Sequence, residues 1–254
     1  MDLGLAGRVY LVTGGTRGLG LATAQALVAD GAAVVVSGRS PDGVDAAVAA
    51  LGGERVAGLA ADNADPATAD RLVAAAFDTF GRLDGALVSV GGPPARPARQ
   101  TTDEQWRAAF ESVFLGGVRI VRTVADALAE GGGGAIALVL STSVRTPIAG
   151  LATSNGMRPG LAMVGKQLAN EYGPQGVRVV GLMPGRLATD RLTELDATTG
   201  DAAAARARWE QQIPLRRYGE PEELGRVAAF LLSPAASYVT GSLVAVDGGL
   251  LPSL

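Results

Sequence analysis

Short apolar segments rich in β-branched residues alternate along the chain with longer, alanine-rich segments. Seven of the short segments are continuously hydrophobic, which is typical of strands covered on both faces. They span 8–14, 32–38, 56–61, 85–91, 135–141, 177–185 and 242–248. The segments between them, such as 19–31 and 67–81, have the period of helices. The pattern predicts one α/β domain over 1–254, with a doubly wound, seven-stranded parallel sheet and helices on both faces.

Two longer stretches interrupt this alternation, at 91–105 and at 186–214. Each follows the carboxyl end of a predicted strand, and ligands bind at these strand ends in open α/β sheets. We interpret 186–214 as a lid over a small-molecule substrate. A surface excursion without a role in binding explains the same composition equally well.

The motif TGGTRGLG lies between the first predicted strand and the first predicted helix. In this context Gly14 permits a tight turn, Gly18 lets the backbone approach a pyrophosphate, and Gly20 allows close packing of the helix. The helix N-terminus adds unpaired N–H groups and the positive end of a dipole. The motif therefore predicts a Rossmann fold that binds a dinucleotide. The residues expected to contact the nucleotide here are Thr13, Gly14, Thr16, Arg17, Gly18, Leu19 and Gly20.

The end of the second strand favours NADP(H) over NAD. Strand two ends at Ser37, which we expect to contact the nucleotide, followed by Gly38 and Arg39, so no carboxylate is available for a ribose 2′-hydroxyl. Arg39 and Arg17 are both able to bind a 2′-phosphate, because a guanidinium group donates two hydrogen bonds at once. Each arginine on its own is also compatible with a solvated surface charge.

The composition of the chain limits the kinds of catalytic and metal site that it can form. The chain has no cysteine and no histidine, which excludes thiolate nucleophiles, imidazole triads and the usual zinc sites. Lys166 is its only lysine, and the net charge of −3 gives no indication of nucleic-acid binding. The sequence contains no apolar run long enough for a membrane span and begins without a secretion signal, so we expect a cytoplasmic protein.

Several spaced motifs resemble the short-chain dehydrogenase/reductase family over nearly the whole chain. The segment 219–249 is very similar to the C-terminal signature of that family, and 81–92 is similar to its fourth strand. The resemblance implies further contacts to the cofactor, and an assembly into homotetramers or homodimers through long helices and the last strand. The further cofactor residues that it implies are Asp62, Asn63, Val90, Gly91, Pro184, Gly185 and Thr189.

The catalytic Asn-Ser-Tyr-Lys set of the family is largely replaced. Its serine corresponds to Ser141, with Ser143 as the alternative on the same face if the strand continues. Its tyrosine and lysine correspond to Ser154 and Arg158, and its asparagine corresponds to Val113. The chain has no tyrosine between Tyr10 and Tyr172, so a small shift of register does not restore the set. Ser154 and Arg158, four residues apart, should share one face of a helix.

Three functions are consistent with this site. The first is an NADP(H)-dependent oxidoreductase in which Ser141 polarises a carbonyl, and Ser154, or a water held by Asn155 and Arg158, supplies the proton. The second is a non-redox enzyme such as a dehydratase, cyclase or isomerase on the same scaffold. The third is a non-catalytic binding or scaffold protein, for which an apolar-filled pocket at Ser141 would be the indication.

Overall fold

The seven predicted strands form one parallel sheet. The computed structural model describes residues 2–252, and its strands follow the order β3-β2-β1-β4-β5-β6-β7. The direction of winding changes between β1 and β4, which is the switch point of a doubly wound sheet. The strands are β1 Val9–Val12, β2 Ala33–Gly38, β3 Val56–Ala60, β4 Gly85–Ser89, β5 Gly134–Val139, β6 Val177–Pro184 and β7 Leu243–Val246.

The helices connect successive strands and cover both faces of the sheet. They are α1 Gly18–Ala29, α2 Pro41–Leu51, α3 Thr68–Phe80, α4 Asp103–Ala109, α5 Gly116–Glu130, α6 Ala152–Tyr172, α7 Asp190–Ala197, α8 Ala202–Gln212 and α9 Pro221–Leu232. Between α4 and α5 the chain makes a π-helical turn over Phe110–Leu115. None of the helices in residues 2–252 has the length and hydropathy of a membrane span.

Alternate residues of the strands pack into two hydrophobic cores, one on each face of the sheet. On β1, Val9 and Leu11 face a core with α3, α5 and α6, whereas Tyr10 and Val12 face a core with α1, α2 and α9. All four residues are buried, as expected for a parallel strand covered on both sides. The strands are thus continuously hydrophobic because helices cover both faces of the sheet, as predicted. The predicted fold is confirmed.

One predicted detail differs. The strand expected over 135–141 ends at Val139, and a 3₁₀ turn follows at Thr142–Val144. Ser143 therefore does not lie on a continuing strand beside Ser141, as that alternative required. The segment 186–214, which we interpret as a lid, contains α7 and α8, and a small core joins its Leu192 and Ile213 to Tyr218.

Candidate active site

Thr13 joins β1 to β4 at the switch point. Its hydroxyl donates to the Ser89 carbonyl and accepts from the Ser89 N–H, both at 2.9 Å. The Thr13 side chain is fully buried. It therefore fixes the glycine loop to the end of β4, and a contact of Thr13 with the nucleotide stays a prediction.

The glycine loop has the geometry that the motif predicted. Gly14 has a φ of +59°, in the left-handed region that favours glycine. A Cβ on Gly20 would lie 2.2 Å from the Gly14 carbonyl oxygen, so only glycine allows α1 to start this close to the turn. A Cβ on Gly18 would lie 3.5 Å from the Thr189 methyl group. The loop and the segment before α7 are therefore neighbours, with Leu19 half-buried at the start of α1.

The end of β2 packs against the same loop. A Cβ on Gly38 would lie 2.6 Å from the Thr16 methyl group, so Thr16 fills the space that a side chain at Gly38 needs. Arg17 and Arg39 follow these two residues and are both exposed. Neither side chain forms a hydrogen bond or an ion pair with any residue of 2–252. Ser37 is buried with an unpartnered hydroxyl, so a direct contact to the nucleotide, as predicted for it, would need its surroundings to open.

The other predicted cofactor residues lie at the same edge of the sheet. Asp62 is exposed after β3, and its carboxylate accepts from the Ala64 N–H at 3.0 Å. The Asn63 amide donates to the Ser89 carbonyl at 3.5 Å. The remaining members of the predicted set are Val90, which is buried, Gly91, which is exposed, Pro184 and Gly185, which are half-buried, and Thr189, which caps α7.

Ser141 and Ser143 have different surroundings. The Ser141 hydroxyl oxygen accepts from the Ser143 N–H at 3.0 Å and so caps the 3₁₀ turn. Ser141 is only half-buried, and its own proton is free to be donated. Ser143 is buried, and its hydroxyl has no partner among residues 2–252. The geometry favours Ser141 as the group that polarises a carbonyl.

Ser154 and Arg158 share one face of α6, as their spacing predicted. The Arg158 Nε donates to the Ser154 hydroxyl oxygen at 3.2 Å. Its Nη1 donates to the Val139 carbonyl at 2.8 Å, and its Nη2 donates to the Val90 carbonyl at 3.3 Å. Arg158 thus links the helix to the ends of β4 and β5. Burial, and secondly the nearby Arg191, lower the pKa of Arg158 to about 10, which leaves it cationic at neutral pH.

Asn155 does not face this pair. Its amide oxygen accepts from the Ile148 N–H at 3.1 Å, and its amide nitrogen donates to the Ile148 carbonyl at 2.8 Å. Both polar atoms are therefore committed to the loop before α6. The water shared between Asn155 and Arg158 that we expected has no support, and Asn155 positions the loop instead.

Val113 lies within the π-helical turn and is buried in the core. Turns of this kind are frequently found at functional sites, yet this one presents an apolar side chain. The four tyrosines of the chain are all used elsewhere. The hydroxyl groups of Tyr10, Tyr172 and Tyr218 donate to Leu232, Asp126 and Asp196, and Tyr238 is fully exposed.

The segment 186–214 is held by buried charges. The Asp196 carboxylate accepts from Arg186 Nη1 at 2.7 Å and from the Tyr218 hydroxyl at 2.8 Å. The Arg186 guanidinium lies 3.8 Å from the centre of the Trp209 ring. Arg191 reaches from α7 to the loop after β4, where its Nη2 donates to the Pro93 carbonyl at 2.6 Å. The segments 91–105 and 186–214 therefore meet over the carboxyl ends of the strands.

A match of residues 14–251 to the family described as Enoyl-(Acyl carrier protein) reductase covers the glycine loop, the active-site helix and the last strand. Dehydrogenase/reductase SDR family member 4 of Oryctolagus cuniculus is 33% identical over 260 residues, which cover 96% of this chain and 94% of the relative. The chain belongs to the short-chain dehydrogenase/reductase family.

Other members match the chain over nearly their full length. Oxidoreductase asL5 of Sarocladium schorii is 34% identical over 248 residues, 97% of this chain and 96% of the relative. The crystal structure of L-sorbose reductase from Gluconobacter frateurii, complexed with NADPH and L-sorbose, has a TM-score of 0.94 at 30% identity and covers 100% of both chains. The predicted family is confirmed, and the names of these short-chain dehydrogenase/reductase relatives agree with the predicted oxidoreductase class.

Two features of this family member were not found from the sequence. Arg191 was overlooked although it lies two residues after Thr189, because a lone arginine in a helix is ordinarily a solvated charge. The group of Arg186, Asp196 and Tyr218 joins residues up to 32 positions apart. The sequence gives one signal of this group, which is that the acidic residue Asp196 falls on the side of α7 that is buried.

Proposed function

We propose that this protein is an NADP(H)-dependent oxidoreductase that reduces a carbonyl or enone, or oxidises the corresponding alcohol, with an atypical set of catalytic groups. The observation that carries the proposal is the pair of uncommitted arginines, Arg17 and Arg39, beside a strand end without a carboxylate. Two cations free of protein partners at this position suit a 2′-phosphate. The NADPH complex of the related L-sorbose reductase supports the same cofactor.

The shape of the loop fits the nucleotide. Gly14 and Gly20 keep the backbone free of side chains at the start of α1, whose N-terminal N–H groups suit a pyrophosphate. Thr189 and Gly185 would border the nicotinamide end, because Thr189 lies directly across from Gly18. When bound, NADPH supplies the hydride. The chain itself binds and orients the reactants and moves the proton.

Ser141 and Ser154 would perform the polar part of the reaction. Since the Ser141 oxygen already accepts a backbone hydrogen bond, its proton is directed away from the turn and can bind a substrate carbonyl. Ser154 likewise accepts from Arg158 and can donate its own proton to a developing alkoxide. The Arg158 cation stabilises the negative charge that develops on the Ser154 oxygen until a proton from solvent restores the hydroxyl group. Ser154 and Arg158 would thus take the roles of the tyrosine and the lysine of the family.

The segment 186–214 would act as the lid over the small-molecule substrate. Its hydrogen bond from Arg191 to Pro93 supports this role, because it joins the segment to the loop that borders Arg158. A lid of this kind excludes water from the hydride-transfer step.

Assembly into a homodimer or homotetramer belongs to the same proposal. The edge strand β7 is only partly buried, and a groove of about 320 Å³ beside it is lined mainly by residues of α6 and β6, with Leu243 of β7. Met163, which lines this groove, is 71% exposed, and Tyr238, three residues before Gly241 of the groove, is fully exposed. Exposed apolar side chains next to an unpaired strand edge favour coverage by a second copy. A cytoplasmic location and the absence of a nucleic-acid partner stay predictions.

Titration with NADPH and NADH, followed by nicotinamide fluorescence, tests the cofactor. We expect NADPH to bind at least about tenfold more tightly than NADH, because the 2′-phosphate gains charge-assisted hydrogen bonds. Arg39→Gln should remove most of that preference, whereas Arg122→Gln, an exposed arginine on α5, should keep it. Failure of both nucleotides to bind would contradict the redox function and favour non-redox catalysis or a scaffold role.

A further inference from the structure

Two arginines bind the loop of residues 90–93, which follows β4. Arg158 comes from α6 and donates to the Val90 carbonyl at 3.3 Å. Arg191 comes from α7 and donates to the Pro93 carbonyl at 2.6 Å. Its Nε would also lie 3.0 Å from a Cβ on Gly92. Two guanidinium groups are thus held on one four-residue loop, and one of them also contacts Ser154, the proposed proton donor.

The positive charge at this loop is not balanced by the protein. Arg158 is 6% exposed, and its three hydrogen-bond acceptors are the Ser154 hydroxyl and two backbone carbonyls, all neutral. It forms no ion pair within residues 2–252, and the charged group that acts on its pKa is a second cation, Arg191. A buried charge without a counter-ion is costly unless a ligand completes the site.

The acidic neighbour of Arg191 does not compensate for this. Glu194 lies 3.6 Å from Arg191 on the same helix, and its side chain is 56% exposed. An exposed pair of this kind is worth little and exchanges readily with another anion. Arg191 is therefore available to bind a negatively charged group while its Nη2 stays on Pro93.

Three further arginines, Arg96, Arg99 and Arg145, lie on segments that follow the same strand ends. All three are exposed on the loops after β4 and β5, and none has an ion-pair partner among residues 2–252. Like charges that surround a cleft attract an oppositely charged ligand and raise its rate of association. The phosphates of the nucleotide do not explain these residues, because the proposed phosphate sites lie at the ends of β1 and β2.

We propose that the substrate is a carbonyl compound that also bears a carboxylate, which Arg191 binds directly while Arg158 supplies fixed positive charge beside the reacting carbonyl. This inference rests on the proposed oxidoreductase function and adds the class of its substrate. A guanidinium group presents two parallel N–H donors, which match a carboxylate. The carboxylate would anchor the substrate at the 90–93 loop, with its carbonyl directed to Ser141 and Ser154.

Calorimetric binding of acetoacetate and of its uncharged methyl ester tests the proposal without turnover. Both ligands are titrated into the protein with saturating NADP⁺ and without nucleotide. We expect acetoacetate to bind at least about tenfold more tightly than the ester, the size of one charge-assisted contact. Arg191→Met should abolish this preference, Arg191→Lys should retain part of it, and Arg208→Met, the same change at an exposed position on α8, should leave it intact.

Several results would overturn the proposal. For the wild type, these are equal affinities for acetoacetate and its methyl ester, or no binding of either ligand. For Arg191→Met, they are an equal loss of affinity for both ligands, or a loss of affinity for NADPH while the affinity for acetoacetate is unchanged. The last result would assign Arg191 to the cofactor. Because acetoacetate binding needs no hydride transfer, a preference for the acid without any NADPH binding would contradict the proposed function alone.

Discussion

Ser141 and Ser143 differ in what their hydroxyl groups can do. The Ser141 hydroxyl is half-buried and oriented by a backbone N–H, whereas the Ser143 hydroxyl is enclosed and has no partner among the described residues. An oriented donor at the surface of a cleft is suited to stabilise developing negative charge. An enclosed hydroxyl instead reflects the packing of the 3₁₀ turn.

Alanine substitutions at these two positions distinguish them. Ser141→Ala should lower kcat by about 10²–10³-fold, the loss measured when one oxyanion donor is removed. Ser143→Ala should change kcat by less than about threefold, since no hydrogen bond is lost. NADPH consumption gives kcat, and NADPH fluorescence checks that both variants still bind the cofactor. A large loss in Ser143→Ala with normal rates in Ser141→Ala would reverse the assignment.

Local sequence predicted the residues whose roles depend on the backbone. Gly14, Gly18 and Gly20 act through φ angles and close approach, which a motif between a strand and a helix already specifies. Side-chain orientation was harder to predict. Asn155 was expected beside Arg158, but a loop seven residues upstream takes up both of its polar atoms.

At the scale of elements, the proposed lid over 186–214 depends on Asp196. This buried carboxylate is paired with Arg186, whose side chain is only 14% exposed, and with the Tyr218 hydroxyl. Arg186 in turn packs against Trp209 on α8. The network connects both ends of 186–214, so the segment should open as a unit when the carboxylate is removed.

Asp196→Asn should open the lid because it leaves Arg186 buried without a counter-ion, which costs about 3–5 kcal/mol. We expect trypsin to cleave after Arg206 and Arg208 at least about tenfold faster than in the wild type. Glu210→Gln is the matched control, because its pair with Arg206 is exposed and contributes little. Equal cleavage rates in all three proteins would contradict the role of Asp196.

The strands were predictable and the lid helices were not, for a physical reason. Buried parallel strands need hydrophobic residues at every position, and this leaves a continuous signal in a short window. Helices α7 and α8 bury one side only against a small core, and α8 is mostly polar and alanine-rich. Their contacts with Tyr218 and Pro93 come from tertiary packing that no local window contains.

For the whole molecule, the exposed groove beside β7 predicts the oligomeric state. Light scattering with size-exclusion chromatography should give a mass two or four times the 25.6 kDa of the chain. Met163→Asp should shift the protein to a smaller assembly, because it places a charge in the apolar groove. Phe77→Asp, at an exposed site on α3, should leave the mass unchanged. A wild-type monomer would contradict the assembly.

The contact between Gly38 and Thr16 has a consequence for the evolution of this protein. A carboxylate at Gly38 is the substitution that would suit a ribose 2′-hydroxyl, yet its Cβ would collide with the Thr16 side chain. On a mutational path from NADP(H) to NAD use, we therefore expect that a smaller residue at Thr16 eases the introduction of an acidic residue at Gly38. The reverse order passes through a disfavoured intermediate. A single substitution at Gly38 should thus disturb Thr16 and the glycine loop as well as the cofactor preference.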